Sequence, residues 1–171
     1  MSWKFCMLCG GVLAVKGDFA WQCQACGQRI YKNAAATADA AIVNEKNELL
    51  IAIRGVDPGK GKWDLPGGFV DIGETSEQAL ARELSEELAF SLSDAEEVEY
   101  IRSGNDEYHW GKDTTYVLAA SFLVKVSSNI KLEAYDDVSE IMWVHLNEID
   151  PKKLFFAPHQ KVVEELKRRL L

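Results

Sequence analysis

Three glutamates and four cysteines carry most of the chemistry that can be read from this chain. The glutamates lie in Arg82-Glu83-Leu84-Ser85-Glu86-Glu87. Upstream, Thr75-Ser76-Glu77-Gln78 has the form of a capping box and predicts a helix from about Ser76. At about 100° per residue, Glu83, Glu86 and Glu87 share one arc of that helix. Leu80, Leu84 and Leu88 form the adjoining apolar stripe, and Glu87, at its edge, is expected to be partly buried. Like charges at these spacings cost a helix about 0.2–0.5 kcal/mol per pair. Only Arg82, four residues before Glu86, offers local relief, and no Lys or Arg follows any of the three at helical spacing. Many acidic helix faces are simply solvated. Here the leucines beside Glu87, the missing basic partners and the preceding Pro66-Gly67-Gly68 turn favour a hard divalent cation instead. Mg2+ (or Mn2+) suits such a site, since it takes a few carboxylates together with waters and substrate phosphates.

The cysteines form two pairs, Cys6-x2-Cys9 and Cys23-x2-Cys26, each followed by a glycine, Gly10 and Gly27. Glycine gives the backbone freedom that a tight turn beside a metal needs. Two such turns can bring four thiolates into tetrahedral zinc geometry, with no open position left for catalysis. Two disulfides are the alternative, disfavoured in a reducing compartment. A redox dithiol would need one pair only. The reading is a zinc ribbon at residues 1–33, too small for a self-sufficient core and so reliant on its metal. It could brace the rest of the chain, contribute to a homodimer or bind a partner. Trp3, Phe5, Trp21 and Tyr31 are expected to form its small core and docking face.

Charge changes at the same point. Residues 1–33 hold Lys4, Lys16, Arg29 and Lys32 against Asp18, a balance of +3, leaving −11 on the remainder of a chain whose total is −8. A boundary near Asn33 follows, with a second domain at residues 34–171. The acidic balance argues against nucleic acid and against an anionic membrane as partners. No apolar run approaches the ~20 residues that span a bilayer, and the first residues lack the apolar segment of a signal peptide, so the expected location is cytoplasmic. Strands are expected near 37–43, 48–54, 98–103, 115–126 and 140–146, with helix competing at the first because its residues are small. Pro158 should begin a last helix with Val162, Val163, Leu166 and Leu170 on one face.

The acidic stretch resembles the Nudix box, G-x5-E-x7-R-E-U-x-E-E-x-G-U, with U a bulky apolar residue. Gly68, Glu74, Arg82, Glu83, Leu84, Glu86, Glu87 and Phe90 fit it. Ala89 departs, standing where the family has a glycine suited to a left-handed helix end. The resemblance implies an α+β fold, a Nudix-type α/β/α sandwich with a mixed sheet, here preceded by the zinc ribbon. It also implies metal-assisted hydrolysis of a diphosphate bond. In that reading Gly68 adds a backbone carbonyl to a metal set of Glu83, Glu86 and Glu87, Glu74 supports the box or a further metal, and Arg82 fixes the glutamates. The family draws its general base from different places. Glu87 and Glu140 are both candidates, and Asp136 and Asp137 are eligible as further acids.

The substrate is less sharply marked. A zinc ribbon ahead of a Nudix domain is similar to the NADH pyrophosphatase group and to hydrolases of ADP-ribose or FAD. The NADH group's Ser-Gln-Pro-Trp motif is absent, as is the proline that ADP-ribose enzymes often carry after the box. Tyr108 sits where dinucleoside polyphosphate enzymes often have a tyrosine. Tyr108 and Trp110 could stack on an adenine or flavin, or simply pack at a strand end. The expected activity is hydrolysis of a nucleoside diphosphate linked to another moiety. The alternatives are a dinucleoside polyphosphate or nucleoside triphosphate hydrolase, and a non-catalytic nucleotide-binding module.

Overall fold

The computed structural model describes residues 3–110 and 113–171, with the side chains of Trp110 and Asp113 outside the description. Three short antiparallel strands, β1 (Leu13–Gly17), β2 (Ala20–Cys23) and β3 (Arg29–Tyr31), form the cysteine module. Its core is Cys6, Leu13, Trp21 and Cys23, with Trp3 and Ile30 packed against it. The Trp3 and Trp21 rings lie 5.0 Å apart. Phe5 and Tyr31 do not join this core, being 66% and 56% exposed.

The remaining strands are β4 (Ala35–Asn44), β5 (Glu48–Arg54), β6 (Trp63–Asp64), β7 (Gly67–Phe69), β8 (Glu97–Trp110), β9 (Asp113–Val126) and β10 (Val138–His145). They form one sheet in the order β10-β5-β4-β9-β8, with β6 paired to β5 and β7 to β4. The β4–β9 pair is parallel and the others antiparallel, so the sheet is mixed. Helix α1 (Ser76–Leu88) covers one face and α2 (Ala157–Leu170) the other. This is the expected α/β/α sandwich.

The period of two along β4 decides what each helix meets. Ala38, Ala40 and Ile42 pack with Leu80, Leu84 and Leu88 of α1. Ala41 and Val43 pack with Val162, Val163 and Leu166 of α2. Asp39 shares the parity of Ala41 and Val43, and so points a carboxylate toward α2. The small residues that made helix a competing reading let layers approach a central, doubly covered strand.

β8 and β9 are longer than the expected 98–103 and 115–126. Gly104-Asn105-Asp106-Glu107 lacks apolar alternation, yet it pairs with Tyr116–Ala119 in one long hairpin. A Cβ on Gly104 would lie 2.9 Å from Pro158 Cβ, so this glycine lets the start of α2 close on the sheet. No helix among the described residues is long and apolar enough to cross a membrane.

Candidate active site

The box begins where β7 pairs antiparallel with β4, Gly67 opposite Asp39 and Gly68 opposite Ala38. Both glycines are there for space. A Cβ on Gly67 would meet Ala38 O at 2.3 Å, and its φ is +140°. A Cβ on Gly68 would meet the Glu83 carboxylate. The chain then turns into α1 through the expected capping box, with Thr75 Oγ1 accepting from Gln78 N and Gln78 Oε1 accepting from Thr75 N. The helix closes on Ala89 at φ 50°, ψ 31°, the left-handed conformation for which the box resemblance supplies glycine.

Arg82 organises the acids. Its Nε donates to Glu74 Oε1 at 2.9 Å and its Nη1 to Glu83 Oε1 at 2.8 Å and Glu86 Oε2 at 3.0 Å. Its Nη2 donates to Phe69 O at 2.9 Å and Glu74 Oε2 at 3.0 Å. These bonds, Glu74's first, raise the guanidinium pKa, and Arg82 in turn holds Glu74 below the usual carboxylate range. Glu83 goes the other way: its burial raises it against the pull of Arg82. Glu87 is 7% exposed and accepts from Gly67 N at 2.8 Å. Burial, opposed by that N–H and reinforced by Glu83, Asp64 and Asp137, pushes Glu87 up to about 8.

Glu83 and Glu86 share one Arg82 nitrogen, and the Glu87 carboxylate accepts only from the Gly67 N–H among the described hydrogen bonds, so the three acids carry more negative charge than Arg82 offsets. Their oxygens are the donors a hard cation takes and Gly68 leaves room beside Glu83, although among the described residues the box carboxylates are not drawn together as the four sulfurs are. Glu86, half exposed, lies at the outer edge of the set.

A cavity of about 130 Å³ adjoins the box, comparable with the ~150 Å³ site that takes up benzene in an engineered core. Gly68 and Glu87 border it on one side, Tyr108 and Phe156 on another. Tyr108 is stacked on Phe156 at 5.5 Å and 19°, lies edge-on to Phe69 at 5.9 Å, and its hydroxyl accepts from Arg54 Nη2 at 3.2 Å. Trp110, the other expected ring, has its side chain outside the described residues.

Glu140 is exposed and does not line the cavity. The register shift between Val138 and Glu140 interrupts the β10 alternation, so Asp137 and Val138 reach the cavity instead.

A buried ion network on the cavity floor went unread in the sequence. His159 Nδ1 is 2.6 Å from Asp64 Oδ1, and its Nε2 is 3.4 Å from Asp39 Oδ2. Arg54 Nη1 donates to Asp64 Oδ2 at 2.7 Å. Burial lowers the His159 pKa, but Asp39 and Asp64 outweigh it and raise the imidazole to about 10. These residues come from β4, β5, β6 and α2, and no local spacing links them. The one local signal was an aspartate inside the small apolar run Thr37–Val43.

In the N-terminal module, Cys6 Sγ lies 3.9 Å from Cys26 Sγ and Cys9 Sγ 3.5 Å from Cys23 Sγ, with all four sulfurs within 4.8 Å of one another. Ligands at ~2.3 Å on a tetrahedral zinc would be about 3.8 Å apart, so the cluster fits zinc. Gly10 and Gly27 have φ of +72° and +74° in the two turns. The thiols do not ionise alike. The Cys26 N–H, against burial, lowers Cys23 to about 6. Cys9 rises to about 12, its neighbouring sulfurs and burial outweighing a Gly11 backbone bond.

The NUDIX domain model matches residues 34–166. The chain belongs to the NUDIX family. The ADP-ribose pyrophosphatase of Methanocaldococcus jannaschii is 32% identical over 140 residues, 82% of this chain and 77% of that protein. The NAD-capped RNA hydrolase NudC of Photobacterium profundum is 28% identical over 147 residues, 85% of this chain. This NUDIX chain spans only 51% of that second relative's length. Among solved structures, a NUDIX hydrolase from Nitrosomonas europaea aligns with TM-score 0.68 at 24% identity, covering 98% of this chain and 92% of that one. The NUDIX domain of Shewanella oneidensis NrtR, solved with ADP ribose, aligns with TM-score 0.66 at 22% identity, covering 82% and 91%. At these identities the two structures speak to the fold alone.

Proposed function

We propose that this protein is a Mg2+-dependent (or Mn2+-dependent) NUDIX pyrophosphohydrolase. It cleaves the diphosphate bond of a nucleoside diphosphate linked to another moiety, with ADP-ribose ahead of FAD and NADH-like dinucleotides. The observation that carries this reading is the continuity of one cavity from Gly68 and Glu87 at the box to the Tyr108–Phe156 stack. A ring can sit against the aromatics while its diphosphate reaches the acids. The relatives named for ADP-ribose and NAD-capped substrates support the same substrate class.

Gly68, Glu83, Glu86 and Glu87 would hold the divalent cation, which when bound neutralises the diphosphate and lowers the pKa of a water. Glu74 anchors Arg82, and Arg82 keeps Glu83 and Glu86 within reach. Glu87, which borders the cavity beside Gly68, is the proton acceptor of choice over Glu140, which is exposed and does not line it. Water oxygen joins one phosphorus, the bridging P–O bond breaks, and the water proton leaves to the base. Two phosphate-bearing products result.

We further propose that residues 1–33 form a zinc-holding module, with Cys6, Cys9, Cys23 and Cys26 as ligands, and that residues 34–171 form the hydrolase domain. Lys32 links the two by donating to Thr114 O at 3.4 Å. The direct test is a Mg2+-supplemented screen of ADP-ribose, NADH, FAD, dinucleoside polyphosphates and nucleoside triphosphates with product identification. AMP plus ribose 5-phosphate from ADP-ribose is the expected outcome. A wide preference for simple triphosphates would overturn the substrate class and leave the hydrolase chemistry standing.

A further inference from the structure

The start of α2 supplies one wall of the cavity, where Phe156, Pro158 and His159 border it. This helix does not cap itself. Its N-cap position is Phe156, whose side chain makes no capping hydrogen bond. The first N–H groups of a helix find no partner within it. That of Ala157 is satisfied from 51 residues away, by Asp106 Oδ2 on β8 at 3.0 Å. Asp106 Oδ1 accepts from Glu107 N at 2.8 Å, which fixes the direction of the carboxylate. Its negative charge also suits the positive end of the helix dipole.

Asp106 is the middle of three alternate residues on β8 that meet this turn. The register with β9 is unbroken from Arg102 to Trp110, so Gly104, Asp106 and Tyr108 share one face. A Cβ on Gly104 would lie 2.9 Å from Pro158 Cβ. Asp106 takes the Ala157 N–H, and Tyr108 stacks on Phe156 at 5.5 Å. The strand thus meets Pro158, Ala157 and Phe156 in turn. Gly104 gives space and Tyr108 gives area, while Asp106 supplies a directional bond. Phe156 also lies edge-on to His159 at 5.5 Å, with the Arg54 guanidinium 5.5 Å from its centroid. Moving the first turn of α2 therefore moves the ring on which a substrate ring would rest.

From this juxtaposition we infer that Asp106 is a positioning residue for substrate binding: by holding the Ala157 N–H it sets Phe156 against Tyr108, and so sets how tightly the cavity takes a planar ring. Resting on the diphosphate-hydrolase reading, this adds which residue outside the cavity governs ring affinity. Asp106 does not itself line the cavity, so it acts on binding and leaves the chemical step alone. Without its bond the first turn is in place for only a fraction of the time, and the apparent affinity falls by that fraction.

The test is steady-state hydrolysis of ADP-ribose with Mg2+, with calorimetry of AMP binding beside it. Asp106→Ala should raise KM about three- to tenfold and leave kcat within about twofold. Asp106→Asn keeps an acceptor for the Ala157 N–H and should return KM to within about twofold of wild type. Because Asp106 acts through Phe156, the double variant Asp106→Ala with Phe156→Leu should match Phe156→Leu alone. Thermal unfolding is the folding control. If Asp106→Ala does not fold, Asp106→Glu, which keeps the charge but displaces the acceptor, is measured against the same outcomes. An unchanged KM in the folded variant overturns the inference. So does a fall in kcat with KM unmoved, or fold-changes that multiply in the double variant. If ADP-ribose is not cleaved, the hydrolase reading fails separately and AMP affinity judges Asp106: weakening in Asp106→Ala with recovery in Asp106→Asn supports it, and equal affinity overturns it. A wild-type protein that neither cleaves ADP-ribose nor binds AMP overturns both.

Discussion

Arg82 bonds Glu74, Glu83, Glu86 and Phe69 O from one planar head, an arrangement a lysine point charge could not reproduce. Around it the acids divide by environment. Glu86 is half exposed, whereas Glu87 is buried and raised to about 8. Glu86→Gln and Glu87→Gln should each lower Mg2+-dependent turnover by about 10²-fold or more, by analogy with other charge-stabilising groups. Steady-state kinetics on folded variants is the check, and near-normal turnover in both would reject the assignment. The buried ions also make stability depend on pH. His159, held up from 6.5 to about 10, contributes stability that is complete below pH 6.5 and lost as pH rises toward 10. Glu87, raised from 4.5 to about 8, loses its share across that lower interval. Melting temperature of metal-free protein should therefore fall from pH 6.5 to 10. His159→Gln should flatten that fall across the whole interval, and Glu87→Gln only the part below pH 8. A pH-independent wild-type curve would contradict the charged His159 network.

At the scale of elements, α1 shows how local rules set a start and a stop. The Thr75–Gln78 box fixes the first turn, and the Leu80, Leu84 and Leu88 stripe fixes the buried face. Its end is strained: Ala89 is left-handed and exposed. Ala89→Gly should stabilise the protein by about 1 kcal/mol, since a left-handed L-residue costs ~1–2 kcal/mol and part returns as unfolded-state entropy. Urea denaturation measures this, and a lower midpoint with unchanged slope would refute it. The ends of β8 and β9 were harder to read. Gly104–Glu107 carries no strand pattern, because its order comes from β9 and from the close approach of Pro158. Glu140 illustrates the same limit: a register shift in β10, invisible to alternation, sends Asp137 and Val138 to the cavity in its place.

For the whole molecule, the sulfur cluster should behave as a separate source of stability. Purified protein is expected to carry stoichiometric zinc. Cys6→Ser or Cys26→Ser should remove most of it and loosen residues 1–33, while α1 and the box, which contain no cysteine, keep their structure. Elemental analysis with amide exchange across both regions would show this. Zinc-free protein with two disulfides would overturn it.

The residues of the box, the capping of α1, the two cysteine pairs and the apolar face of α2 were all legible in the chain, because each depends on neighbours within a few turns or one loop. So was the sandwich, once the box had suggested it. Tertiary structure decided where the acids point and which residues form the cavity. Asp39, Arg54, Asp64 and His159 lie far apart in the chain and meet only because β4 is central, β6 pairs with β5 and α2 covers their face. A charge pair between distant segments leaves no period in a sequence. It exists only after the sheet order has been set.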